Sequence, residues 1–207
     1  SKGMQDITES IEDHPAFKTL SSMLLRCMQK AIYSTNNIGH YGLALKNYTH
    51  FTSPIRRFPD LMVHQLLKTY FFNNDINSST IDFYAHYLIE VAEYSSEREQ
   101  EAQAAEREVD DMKMAEYMLD HIGEEYEGVI STVTNYGFYV ELDNMVEGLV
   151  HISSLKGFYN YAPELLSLIS TNKNIKYTIG DKVKIKVVGA SKEARTIDFE
   201  VINGNSK

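Results

Sequence analysis

Two adjacent guanidinium groups, Arg56 and Arg57, stand in the run HYGLALKNYTHFTSPIRRFPDLMVHQLL. Ser53-Pro54 just before them reads as a helix start. The serine hydroxyl can accept an orphan backbone N–H, and proline at the first helical position loses no needed donor. Arginines there sit beside free N–H groups and the positive end of the helix dipole, which is phosphate-binding chemistry. The same pair admits a plainer use, in ion pairs with Asp60 or with acidic residues downstream. Sequence alone leaves both uses open.

A second constellation lies in EEYEGVISTVTNYGFYVELDNMVEGLVHISSL. Alternation sends Phe138, Val140 and Leu142 to one face and Tyr139 and Glu141 to the other. Tyr136 falls at the turn beside Tyr139, and His151 on the adjoining strand. Exposed rings beside a histidine form a platform for unpaired bases, worth about 1–3 kcal/mol per base; the alternative is that they only cover a barrel rim. Lys182, Lys184 and Lys186 also alternate, as a basic patch or as a solvated strand face.

Other chemistries find no support. None of the seven histidines pairs at H-x-x-x-H spacing, and the single cysteine, Cys27, gives no zinc tetrad. His64, within VHQLL, reads as a structural histidine. No P-loop, G-x-G-x-x-G or G-x-S-x-G run occurs.

The elements that must position these residues divide near Gly123. Phe17, Leu20, Leu24, Cys27 and Ala31 recur at helical spacing, so a helix is expected over about 15–33. The helix begun at Ser53-Pro54 should be distorted by Pro59 and run to about Phe72. A polar turn over 73–79 precedes a helix over about 81–93, and Ser95 or Ser96 caps another that ends near Asp120. Ala102, Ala105, Val109, Met112 and Tyr117 form the apolar stripe of that last helix. Beyond Gly123 the period changes to two. Strands are expected at 126–133, 137–142, 148–152, 182–188 and 196–202, with a less regular insertion over 154–178. The class is therefore α+β: a mostly helical part over 1–122, then a five-stranded OB-type barrel over 123–207.

Three pieces in this order, LLRCMQKAIYS, the SPIRR run and SEREQEAQAAEREVDDMKMAEYM, resemble the end of the catalytic (RNB) domain of the RNase II / RNase R family of exoribonucleases. IRRFPDL is similar to the IRRYPDL of the RNase R branch. The F-G-x-[FY]-V and G-L-[VI]-H hallmarks of the following unit resemble an S-one-type RNA-binding module. This resemblance implies 3′-to-5′ hydrolysis of RNA to nucleoside 5′-monophosphates with magnesium. It places Arg56 on the phosphates at the cleavage point, Arg57 on the RNA backbone and Glu106 near the departing 3′ end. It makes Tyr136, Tyr139, His151 and Arg195 contacts to single-stranded RNA; Lys182 and Lys184 are candidates for the accompanying patch, a solvated strand face explaining them equally well.

The family's metal-holding aspartate run, of D-x5-D-x-D-D type, is missing; Asp110-Asp111 is an isolated pair. The expectation is an RNase R-like C-terminal portion that binds RNA but cannot cleave it without the preceding part of the same chain, which would also carry the magnesium. A stand-alone non-catalytic RNA-binding protein and a purely structural interaction domain are the competing readings.

Composition bounds all of this. The 207 residues carry a net charge of −9, with 43% hydrophobic and 24% charged residues, as folded proteins do. Acid outnumbers base on both sides of Gly123, so any nucleic-acid site is a local patch rather than a global field. No 18-residue apolar run and no secretory pattern appear, so a cytoplasmic chain without membrane contact is expected.

Overall fold

The computed structural model describes residues 2–12, 17, 21, 24–25, 27–28, 30–40, 42–172 and 175–202. Along them run α1 (Lys2–Ile11), α2 (Phe58–Leu66), a π-helical segment (Leu67–Phe72) and α3 (Ser78–Leu119). Eight strands follow: β1 (Glu125–Thr134), β2 (Gly137–Leu142), β3 (Glu147–His151), β4 (Tyr159–Ala162), β5 (Ser167–Ser170), β6 (Lys176–Thr178), β7 (Lys182–Ser191) and β8 (Thr196–Val201). The chain divides into two compact units. Residues 24–104 make most of the first and residues 105–207 most of the second.

In the first unit the helix expected from Ser53-Pro54 begins later. Pro54, Ile55 and Arg56 form a turn, Arg57 is the cap, and Pro59 lies in the first turn of α2. The reason is steric. Proline lacks the N–H that an interior position must donate, so Pro59 has to open the helix rather than sit inside it. Wide turns carry the helix to Phe72, as far as expected.

The two helices expected on either side of Ser95-Ser96 are one, α3, of 42 residues. Asn77 starts it, its Oδ1 accepting the Thr80 N–H at 2.9 Å. Ser96 does not cap a helix. Its hydroxyl donates to the Ala92 carbonyl at 2.7 Å and accepts the Tyr33 N–H at 2.9 Å, so its polarity is satisfied within an unbroken helix. Part of the helix expected over 15–33, including Leu20, lies outside the described residues. Among those described, 17, 21, 24 and 25 are helical, Cys27 and Met28 close turns, and 30–34 are not helical.

The first unit has a small core: Met62, Tyr84 and Val91, with Leu66, Tyr70, Tyr87 and Leu88 packed against it. Ile38, Ile55, Phe71 and Phe72 remain exposed.

The second unit is a closed five-stranded barrel in the order β1-β2-β3-β8-β7, with every pairing antiparallel except β3 with β8. Its strands stand where alternation placed them. Phe138, Val140, Val150, Ile185, Val187 and Phe199 fill the interior. Gly148 faces the Phe199 ring so closely that a Cβ would collide with it.

Two expectations need correction here. The insertion over 154–178 holds a separate three-stranded sheet, β4-β5-β6, whose strands of three or four residues are too short to display a period. The packed face of the last helical turns is also rotated from the expected stripe. Met114, Ala115 and Met118 join the barrel core, whereas Val109 and Tyr117 stay exposed. Among the described residues no helix is long and apolar enough to cross a membrane.

Candidate nucleic-acid interface

Each unit carries one group of the expected residues. In the first, the Ser53–Arg57 turn closes on itself, the Arg57 N–H donating to the Ser53 carbonyl at 2.9 Å and the Arg56 N–H to the same oxygen at 3.3 Å. The two arginines then part ways. The Arg57 guanidinium is only 19% exposed and donates to Asp60 Oδ2 at 2.9 Å. Arg56 is exposed and forms no ion pair among the described residues. The free cation of this turn is therefore Arg56.

Asp60 is the residue that sequence reading undervalued. Its side chain is fully buried, and Oδ2 also accepts the Ser53 N–H at 2.7 Å. Burial pushes its carboxyl up, but the Ser53 N–H and the Arg57 guanidinium outweigh that and hold it below its ordinary value. The i,i+3 spacing from Arg57 was the available signal. His64 is structural, as expected: Nε2 meets the Phe51 carbonyl at 2.9 Å, and its ring stacks on Phe51 at 4.4 Å.

On the barrel, the tight turn at Tyr136 returns the chain as β2. Gly137 pairs with His151, where a Cβ would strike the Val150 carbonyl, so this close approach requires glycine. The pairing brings Tyr136, Tyr139 and His151 to one end of the β2–β3 ladder. Tyr136 is exposed and Tyr139 half-buried. Their rings meet edge to face at 6.5 Å and their hydroxyls lie 3.3 Å apart. That hydroxyl contact and partial burial push Tyr139 up to about 12, so it stays protonated and neutral at physiological pH. His151 is exposed, its Nδ1 accepting the Ser153 N–H at 3.2 Å. The side of the ladder beneath Tyr139 is polar, with Ser131 donating to Glu147.

The basic residues of the barrel are more engaged than their sequence suggests. Lys184 pairs with Glu127 at 3.3 Å, and Lys186 stands opposite Glu125 and Glu200. Lys182 stands opposite Val129 and forms no ion pair among the described residues. Arg195, in left-handed backbone at the β7–β8 turn, pairs with Glu108 at 2.5 Å. In the same turn Lys192 pairs with Glu116, which Lys113 also meets at 2.7 Å. Glu106, two residues from Glu108 on α3, is exposed and forms no ion pair among the described residues.

Residues 1–73 match the RNB domain family, and residues 119–202 match the S1 RNA binding domain. Ribonuclease R 1 of Lactococcus lactis is 48% identical over 202 residues, covering 97% of this chain and 25% of that protein. Over nearly all of its length the chain is similar to ribonuclease R. Ribonuclease R of Escherichia coli is 37% identical over 206 residues. The chain spans about a quarter of the length of these relatives. The apo form of Mycoplasma genitalium RNase R superposes with a TM-score of 0.87 at 28% identity. It covers 94% of this chain and 31% of that one. The same protein in complex with ribose-methylated single-stranded RNA gives the same score. A helical segment followed by a closed S1-type barrel is thus shared with a solved RNase R, as the sequence motifs implied.

Proposed function

We propose that the chain is the RNA-holding portion of a 3′-to-5′ exoribonuclease that hydrolyses RNA to nucleoside 5′-monophosphates, and that by itself it binds single-stranded RNA without cleaving it. The observation that carries this reading is the exposed Tyr136–Tyr139–His151 surface on a barrel of S1 type. Unpaired bases stack on such rings without regard to sequence. The neutral Tyr139 hydroxyl does not repel the phosphates that follow, whereas a phenolate would.

Arg56 supplies the phosphate contact of the first unit. Its guanidinium is exposed and forms no ion pair among the described residues, so an incoming phosphate displaces only water. In the intact enzyme it would neutralise charge developing on the phosphoryl centre. Glu106 would lie near the departing 3′ end, and Lys182, with Lys184 and Arg195 once drawn from their carboxylates, would guide the backbone. Arg57 would act on the strand alongside its hold on Asp60.

Magnesium chemistry would be supplied by the rest of the protein. Among the described residues no three His, Cys, Asp or Glu side chains converge to hold a metal, so the donor set here does not fit the ion.

The test is to incubate the chain with 5′-labelled oligo-adenylate and magnesium. A slower-migrating complex whose RNA keeps its full length is expected. Progressive shortening would refute the non-catalytic half of the reading, and the lack of any complex the other half.

A further inference from the structure

The Arg56 turn is built around one buried carboxylate. Asp60 Oδ2 takes the Ser53 N–H at 2.7 Å and the Arg57 guanidinium at 2.9 Å, so one oxygen atom ties together both ends of the Ser53–Arg57 turn. The backbone bonds from Arg56 and Arg57 to the Ser53 carbonyl close the same ring from within. Between these anchors the tip is thrust outward. Ile55 is 102% exposed and Arg56 is exposed, while Asp60 is 0% exposed.

Asp60 belongs to the first turn of α2, and Met62 of the same helix is buried in the unit's core. The carboxylate thus links the position of a helix to a turn whose tip residue, Ile55, is fully exposed. A buried carboxylate is costly unless charge-assisted donors satisfy it. Here the two ends of the turn supply donors to Oδ2 alone, while Oδ1 is buried without a hydrogen-bond partner among the described residues, so the carboxylate depends on holding both ends in place.

We propose that Asp60 is the positioning residue of the arginine turn: through Ser53 and Arg57 it fixes where the Arg56 guanidinium stands, and it does not itself touch RNA. The two arginines are accordingly not equivalent. Arg57 is chiefly scaffold, and Arg56 is the group delivered to the phosphate. This assignment rests on the reading that Arg56 contacts the reacting phosphate.

The experiment is a double-mutant cycle in the intact ribonuclease, comparing wild type, Arg56→Ala, Asp60→Asn and the double variant on oligo-adenylate. With Arg56 present, Asp60→Asn should lower kcat by about 100-fold, the scale expected when a reacting group is misplaced by an ångström, with KM nearly unchanged. In the Arg56→Ala background the same change should alter kcat by less than about twofold, because the group it positions is gone. Equal losses in both backgrounds, or an undiminished kcat for Asp60→Asn, would overturn the assignment. If Asp60→Asn does not fold, Arg57→Lys replaces it. This variant keeps the charge but loses the planar fork, and the same dependence on Arg56 is expected. An Arg56→Ala enzyme with undiminished kcat would instead overturn the reading of the site on which the assignment rests.

Discussion

Replacing Tyr139 by alanine removes one ring of the barrel surface and the edge-to-face neighbour of the other, 6.5 Å away. If the two rings hold bases, the loss is at least one stacked base, about 1–3 kcal/mol, which raises Kd by a factor of roughly 5 to 150. The fold should survive. Tyr139 lies opposite Thr132 and Leu149 with its ring half-exposed, and a cross-strand pair of this kind contributes only about 1 kcal/mol. Tyr139→Phe separates ring from hydroxyl. It deletes the 3.3 Å contact with Tyr136 but keeps the π face, and its Kd should stay within about twofold of wild type. Fluorescence anisotropy with labelled oligo-adenylate measures all three proteins, and thermal melts check their folding. A folded Tyr139→Ala protein with wild-type Kd would refute the stacking argument, and a large loss in Tyr139→Phe would move the energy from the ring to the hydroxyl.

Other consequences concern the scaffold. Lys113 and Lys192 hold Glu116 down from 4.5 to about 2, so its stabilising effect is present above about pH 4.5 and is lost as pH falls toward 2. The melting temperature of the wild-type chain should therefore drop more steeply over that window than that of Glu116→Gln; parallel curves would argue against the Lys113–Glu116–Lys192 pairing. Gly148→Ala drives a methyl into the buried Phe199 ring and should cost about 1–3 kcal/mol in urea unfolding, and an unchanged midpoint would count against the tight β3–β8 packing.

The barrel was legible because each of its strands has one face in a core and one in solvent, so Phe138, Val140 and Leu142 write a period of two. The β4–β6 sheet has strands of three or four residues and left no such trace. Where sequence signals misled, another bond or a second local signal outweighed the first. Ser96 looks like a cap but finds both its partners, Ala92 and Tyr33, without breaking the helix. Ser53-Pro54 looks like a start, yet Pro59 can only open a helix and does so.

At the candidate site the residue types were readable and their engagement was not. Arg56 and Arg57 are identical in sequence terms, and only the burial of Asp60 separates a free cation from a tethered one. The alternating lysines of β7 likewise fitted a basic patch and a solvated strand face equally well. Their register against Glu125 and Glu127 on β1 shows how much of that charge is already balanced.

Two proposals remain to be tested together: unpaired RNA lies on the barrel's tyrosine–histidine surface, and the Arg56 turn takes a phosphate. Amide correlation spectra of the chain titrated with oligo-adenylate address them residue by residue. Saturable shifts concentrated at Tyr136–Tyr139, His151 and Arg56 are expected, weakening as salt is raised. Saturable shifts that leave those amides in place and cluster elsewhere would contradict them.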